Sequence, residues 1–279
     1  MNSIYQCPVC NLPLNLQEQQ FTCTAGHCFD IARQGYVNLL LAHHKKSADP
    51  GDDKGMVANR RAFLETGHYD RLAAALADVV YSASASDQPS PQLLDAGCGE
   101  GFYLQHLAAN RDRKDIPSIG LWGLDISKHA VSAAAQRDKR SRFCVGSSFR
   151  LPVRPACLDT ILQVFAPGDP AEYRRVLKPN GRFIAMTPGP EHLFGLKKLI
   201  YDKPQKHPQP SNAPSGFEQV ERHRITYSLA LNDNLSIQRL LSMTPYYWHL
   251  DRPTQERALA ATVLETNIDA VLSIYQPTV

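Results

Sequence analysis

The chain has 279 residues, 43% of them hydrophobic and 20% charged, with a formal net charge of +3. That length fits one large α/β domain plus a small module, and the composition is that of an ordinary globular protein rather than a disordered or fibrous one. No apolar run approaches the roughly 20 residues of a membrane span, no basic-then-apolar leader opens the chain, and seven cysteines with four in the first 28 residues point to metal binding rather than disulfides. A cytoplasmic location is expected.

Residues 1–36 read as a zinc-binding ribbon. Cys7-Pro8-Val9-Cys10 is a C-x2-C knuckle, and Cys23 and His27 follow as a second pair around Gly26. Two such turns facing each other can cage Zn²⁺ tetrahedrally, leaving no open position for chemistry. A segment of about 35 residues also needs such a staple to fold. Spacing alone does not separate His27 from Cys28 as the fourth ligand.

Residues 37–90 read as a linker and helical segment. Asp49-Pro50-Gly51-Asp52-Asp53 is turn chemistry, preceded by the basic Lys45-Lys46. A helical pattern over 54–81 breaks at Gly67-His68-Tyr69, and a Ser- and Pro-containing stretch, 82–91, leads onward.

Residues 91–279 read as the catalytic domain, around Leu93-Leu94-Asp95-Ala96-Gly97-Cys98-Gly99-Glu100-Gly101-Phe102-Tyr103. An apolar strand ends in Asp95, three alternating glycines follow, and a helix begins. The glycines let the backbone pass close to a ligand, and the helix N-terminus offers free N–H groups. Phe102 stands where a dinucleotide fingerprint needs glycine, and no lysine is present to hold a phosphate. A second strand, Gly120 to Asp125, ends in an acid placed to hold ribose hydroxyls. Further strands are expected at 142–146, 158–165, 181–187, 225–231 and 269–276, with helices at 235–243 and 254–261 and a proline-rich loop at 202–216. Strand-helix alternation predicts an α/β fold with a mostly parallel Rossmann-like sheet whose last strand is antiparallel. The ligand-binding edge then carries Gly97, Asp125, Ser147, Phe165 and Thr187-Pro188-Gly189-Pro190.

The D-x-G-x-G-x-G turn with Asp125 resembles the first motif of the class I S-adenosylmethionine-dependent methyltransferases. With the cysteine module the whole chain resembles the bacterial 23S rRNA (guanine-N1)-methyltransferases of the RlmA type. The likeness runs through the C-x2-C-x12-C-x3-H order, Gly35 to Leu40, Asp49 to Asp52, Arg60 to Leu64, Gly67-His68-Tyr69, Asp95 to Tyr103, Ser147 to Pro152 and Thr187 to Leu193.

This resemblance implies methyl transfer from S-adenosylmethionine to N1 of a guanine in a hairpin loop of 23S rRNA. The position it implies is guanine 745, with guanine 748 modified by a macrolide-resistance sister group. It also implies a homodimer and His27 as the fourth zinc ligand. By carry-over, Tyr69, Asp95, Gly97, Gly99, Gly101, Phe102, Tyr103, Asp125, Ser147 and His192 become cofactor-binding candidates. Ser147 stands where many class I relatives have an Asp. Phe165 and His192 are the catalytic candidates: Phe165, with Tyr103 as the alternative by position, to hold a splayed base, and His192 as a proton acceptor from N1, with Asp169 and Glu172 as weaker ones. A small-molecule methyltransferase would leave the zinc module without a task. A non-enzymatic RNA-binding zinc protein would leave the glycine turn and Asp125 without one.

Overall fold

The computed structural model describes residues 3–45, 47–83, 90–110, 119–209, 212–247 and 250–278. Lys46, most of the 82–91 linker (84–89) and residues 210–211 of the proline-rich loop lie outside the described residues.

Two sheets form. The first is a small antiparallel one of β1 (Asn15–Gln17), β2 (Gln20–Thr22) and β3 (Cys28–Asp30). The chain then adds β4 (Tyr36–Asn38), α1 (Lys54–Leu64), α2 (Asp70–Ala83), β5 (Gln92–Ala96), α3 (Phe102–Asn110), β6 (Gly120–Asp125), α4 (Lys128–Arg137), β7 (Arg142–Val145) and β8 (Leu158–Val164). It closes with α5 (Pro170–Val176), β9 (Leu177–Pro188), α6 (Phe194–Ile200), β10 (Phe217–Leu231), α7 (Asn234–Ser242), α8 (Arg252–Leu259) and β11 (Leu264–Pro277). The large sheet has the order β10-β11-β9-β8-β5-β6-β7-β4. It is parallel from β9 to β4 and antiparallel at β11 and β10.

Helix starts follow local chemistry. Asp53, Ser127, Asp233 and Asp251 each accept a hydrogen bond from the backbone N–H three residues on, satisfying a donor the helix leaves open. The break after α1 is the turn of Gly67, at φ +84°, where an L side chain is strained.

Alternation along each strand sends neighbouring residues to opposite faces. Leu93, Leu121, Phe143, Leu162 and Ile184 enter one core, which α2, α3, α4, α6 and α7 cover. Leu94, Trp122, Cys144, Ile161 and Phe183 enter the other. Among the described residues, that second face receives one helix of the catalytic domain, the seven-residue α5, together with Leu151 and Val153 of the loop before β8. The cysteine module covers the rest with Ile4, Tyr5, Leu14 and Phe21. Tyr5 meets the Trp122 ring edge-on at 5.1 Å, and Ile4 and Gln6 exchange backbone hydrogen bonds with Arg154 and Pro152.

Three expectations are thereby revised. The segment expected as a separate ribbon shares a core with the sheet, and β4, just beyond it, pairs in parallel with β7. The Asp49–Asp53 turn, expected as a linker, is docked: the Ser127 hydroxyl donates to the Asp52 carbonyl at 2.6 Å, and His129 contacts Asp49 at 3.0 Å. Strand β10 starts at Phe217, eight residues before the expected start: pairing with β11 makes it a strand, while Glu218 to Arg224 are exposed and show no apolar alternation to announce it. Residues 178–181 form a bulge inside β9, where the pairing with β8 jumps from Leu177 to Arg182.

Candidate metal centre and cofactor pocket

Cys7, Cys10, Cys23 and His27 bring one ligand atom each to within 4.8 Å of one another. The Cys10 and Cys23 sulfurs are 3.7 Å apart, and His27 Nδ1 lies 3.4 Å from Cys23 Sγ and 3.6 Å from Cys7 Sγ. A tetrahedron with Zn–S bonds of about 2.3 Å has S···S edges of about 3.8 Å, so the donor set fits Zn²⁺. Cys28 is exposed and turns its sulfur towards the Gly26 carbonyl, which leaves His27 as the fourth ligand. The fold builds this from two tight turns, with Gly26 at φ +86° in the second.

The glycine turn lies at the carboxyl edge of the sheet, between β5 and α3. Gly97 and Cys98 both donate to the Leu124 carbonyl, at 2.8 and 2.9 Å, which clamps the turn against β6. Gly97 has φ +95°, and a Cβ there would lie 2.4 Å from that of Ala166, so the loop after β8 closes tightly over it. Asp125, at the end of β6, accepts from Gly99 N at 3.0 Å and Ser127 N at 2.8 Å. Each carboxylate oxygen keeps a further lone pair for a hydroxyl. Ser147 follows β7 beside it and accepts from Phe149 N at 3.2 Å.

Asp95 is the most informative residue of the pocket. It is 1% exposed, and among the described residues neither carboxylate oxygen has a hydrogen-bond partner. Burial, with the charges of Asp125 and Glu100, pushes its carboxyl up to about 8. A buried carboxylate without partners is costly unless a cationic or donating ligand completes it. The ammonium tail and sulfonium of S-adenosylmethionine have that chemistry, so the residues present fit the expected cofactor.

Tyr69 and Tyr103 lie near each other in the aromatic region around α3, and burial raises both phenols. Phe102 is core, packed against Tyr103 at 5.1 Å and His106 at 4.6 Å. On the far side of the glycine turn, Phe165 has φ +49° at the end of β8 and is 37% exposed. A non-glycine residue held in the left-handed region is strained by about 1–2 kcal/mol. Its ring stacks on His192, centroids 5.1 Å apart at 22°. His192 is buried, and burial holds its imidazole down to about 4.

Asp169 and Glu172 are engaged elsewhere. Asp169 caps α5 through Ala171 N, and Glu172 binds Arg175 and Leu151 N at 2.7 Å. The sequence reading missed Glu100, buried with one carboxylate oxygen that has no partner among the described residues, although its place between two turn glycines was a signal. It also missed the Arg60–Asp52 ion pair beside Gly99, and His207 and Tyr246 near His192. Sequence separation hid both.

The sheet and the glycine pocket define a methyltransferase domain, and the family model described as "Methyltransferase domain" matches residues 88–233. A second family model, the RlmA N-terminal zinc ribbon, matches residues 5–48. The chain belongs to the 23S rRNA (guanine-N1)-methyltransferases. It is 34% identical to the 23S rRNA (guanine(748)-N(1))-methyltransferase of Streptomyces fradiae, over 98% of this chain and 96% of that one. A relative from Micromonospora griseorubida, called a 23S rRNA (guanine-N(1)-)-methyltransferase, is also 34% identical, over 98% and 97%. YxjB of Bacillus subtilis, with the same description, is 30% identical over 98% and 97%.

Proposed function

We propose that this protein transfers a methyl group from S-adenosylmethionine to N1 of a guanine in a hairpin loop of 23S rRNA. The observation that carries the reading is near-end-to-end similarity to proteins named for that reaction, zinc ribbon included. The cofactor supplies an electrophilic methyl group, so the protein's main task is to hold N1 in line with it.

Asp95 binds the cationic amino-acid part and Asp125 the ribose. Gly97, Gly99 and Gly101 keep the floor open, Ser147 contacts the adenine, and Tyr69, Phe102 and Tyr103 wall the site. Phe165 and His192 form the substrate end, where the base arrives after leaving its stack. The zinc is structural. Functionally the chain divides into the ribbon (1–36), the connecting segment (37–90) and the catalytic domain (91–279). It works as a cytoplasmic homodimer whose two ribbons grip the RNA. No helix among the described residues is long and apolar enough to cross a membrane.

The test is mass mapping and primer extension of 23S rRNA from cells with and without the gene. Loss of one N1-methylguanine from the hairpin supports the reading, and its position decides between guanine 745, our assignment, and guanine 748. An unchanged rRNA, with activity instead on a small metabolite, overturns it.

A further inference from the structure

His192 is held more firmly than a loop histidine needs to be. Its Nδ1 accepts from the backbone N–H of Asp269 at 3.2 Å, and its own N–H donates to the Gly189 carbonyl at 3.1 Å. Asp269 is itself locked by Arg224, at 2.8 Å to each oxygen, and by Glu191 N at 2.8 Å. From the proline-rich loop, the His207 backbone N–H donates to the Pro190 carbonyl at 3.2 Å, its ring lies 6.2 Å from that of His192, and its Nε2 meets the Tyr246 hydroxyl at 2.9 Å.

A backbone N–H can only donate, so Nδ1 of His192 carries no proton. The neutral imidazole therefore has its proton on Nε2. Neutrality is secured by the surroundings. Burial, His207 and Lys197 oppose a charge on the ring more strongly than Asp269 favours it, and the Asp269 carboxylate is already paired with Arg224. At neutral pH His192 is thus a donor and a poor base. Its Nε2–H, which no described group accepts, opens to solvent.

Guanine N1 carries a proton at neutral pH. Losing it moves negative charge through the N1–C6–O6 amide onto O6. A fixed donor at O6 stabilises that charge as it develops. The ring geometry suits this. His192 covers part of one Phe165 face, nearly parallel to it. A base laid on the remainder of that face shares the imidazole's layer and turns an edge, not a face, to Nε2–H.

On the functional reading above, we propose that His192 is the hydrogen-bond donor to O6 of the target guanine, stabilising the N1-deprotonated base, and that His207 is the residue that positions it. N1 releases its proton to solvent and bonds the methyl carbon, while the C–S electron pair stays with the sulfur.

The first arm of the test follows single-turnover methylation of the rRNA hairpin from pH 6 to 10. His192→Ala should lose about 100-fold at pH 7, in the range found for single oxyanion donors. The deficit should shrink as rising pH ionises N1 unaided. His192→Gln, which keeps an N–H donor, should recover part of the rate, and His207→Ala should show a smaller loss with the same trend. A loss of constant size across pH would mark a structural role and overturn the proposal.

The second arm needs no turnover. The hairpin carries 6-thioguanine at the target position and is bound with S-adenosylhomocysteine, and absorbance follows ionisation of the thiobase. Wild-type protein should ionise the bound thiobase at lower pH than in free RNA, and His192→Ala should abolish the shift. An unshifted wild-type complex overturns the proposal even where a variant fails to fold. Failure of the wild type to methylate the guanine hairpin overturns the functional reading instead.

Discussion

The metal centre and the cofactor pocket sit in one molecule but solve opposite problems. The four zinc ligands come from 21 consecutive residues and lie within 4.8 Å of one another. Their polar atoms are directed at one another, and the metal they hold stabilises the fold. The cofactor pocket gathers the ends of β5, β6, β7 and β8 from across the chain. It holds a buried carboxylate without partners among the described residues, and Phe165 at the end of β8 has a strained backbone. One site supplies folding energy, whereas the other consumes it to stay ready for a ligand.

The largest effect should follow from breaking the first site. Zinc-finger peptides gain about 10–16 kcal/mol from their metal. Cys10→Ser, or chelation, should remove the zinc and lower the melting temperature of the whole chain, because Ile4, Tyr5 and Phe21 share a core with Trp122 and Cys144. Calorimetry showing an unmoved main transition would mean that the ribbon melts alone. Tyr5→Ala tests the same coupling without touching a ligand. It should cost about 3–5 kcal/mol, as for other large buried aromatics, with zinc content retained.

The pocket should respond in the opposite sense. The Asp95 carboxyl is pushed up to about 8 from an ordinary value near 3.8. Its folded form holds a proton more tightly than its unfolded form, so the residue destabilises the apo protein increasingly from pH 4 to pH 8. Asp95→Asn should therefore raise the apo melting temperature at pH 8, by roughly 2–4 °C per kcal/mol recovered, and leave it unchanged near pH 3. The same variant should lose cofactor binding in a titration. In wild type, cofactor affinity should rise with pH up to about 8, by as much as about tenfold per pH unit, since binding a cation expels the proton. A flat pH profile would show that Asp95 is already ionised.

The smallest effect belongs to Cys28→Ser, whose side chain is exposed and outside the cluster. Zinc content and melting temperature should stay within error of wild type. A drop in metal content would transfer the fourth ligand from His27 to Cys28.

The parts legible in the sequence were those written locally. The C-x2-C knuckle, the glycine turn and Asp125 each combine a residue type with a short spacing. Tertiary placement was not legible. Nothing in Ile4-Tyr5 says that these side chains close the second face of a sheet whose central strand, β5, begins some 90 residues later. Nor does the polar run Glu218 to Arg224 announce a strand, since its pairing comes from β11. The proton acceptor read into His192 came from residue type. The partner that makes it a donor, Asp269, is 77 residues away.

Strand β4 has a consequence for how the chain is made. It pairs with β7, Val37 lying against Cys144, so its partner is translated about 100 residues later. At about 5–20 residues per second the ribosome takes roughly 5–20 s to deliver that partner. During this interval the ribbon can take up zinc and close, while its exit strand waits with its amides unsatisfied. The metal centre then serves as an early anchor, holding Tyr36–Asn38 next to a folded body until the edge of the main sheet arrives to receive it. A chain beginning after residue 40 would lack that strand and leave β7 as an open edge, the kind of surface along which partly made proteins pair with the wrong neighbour.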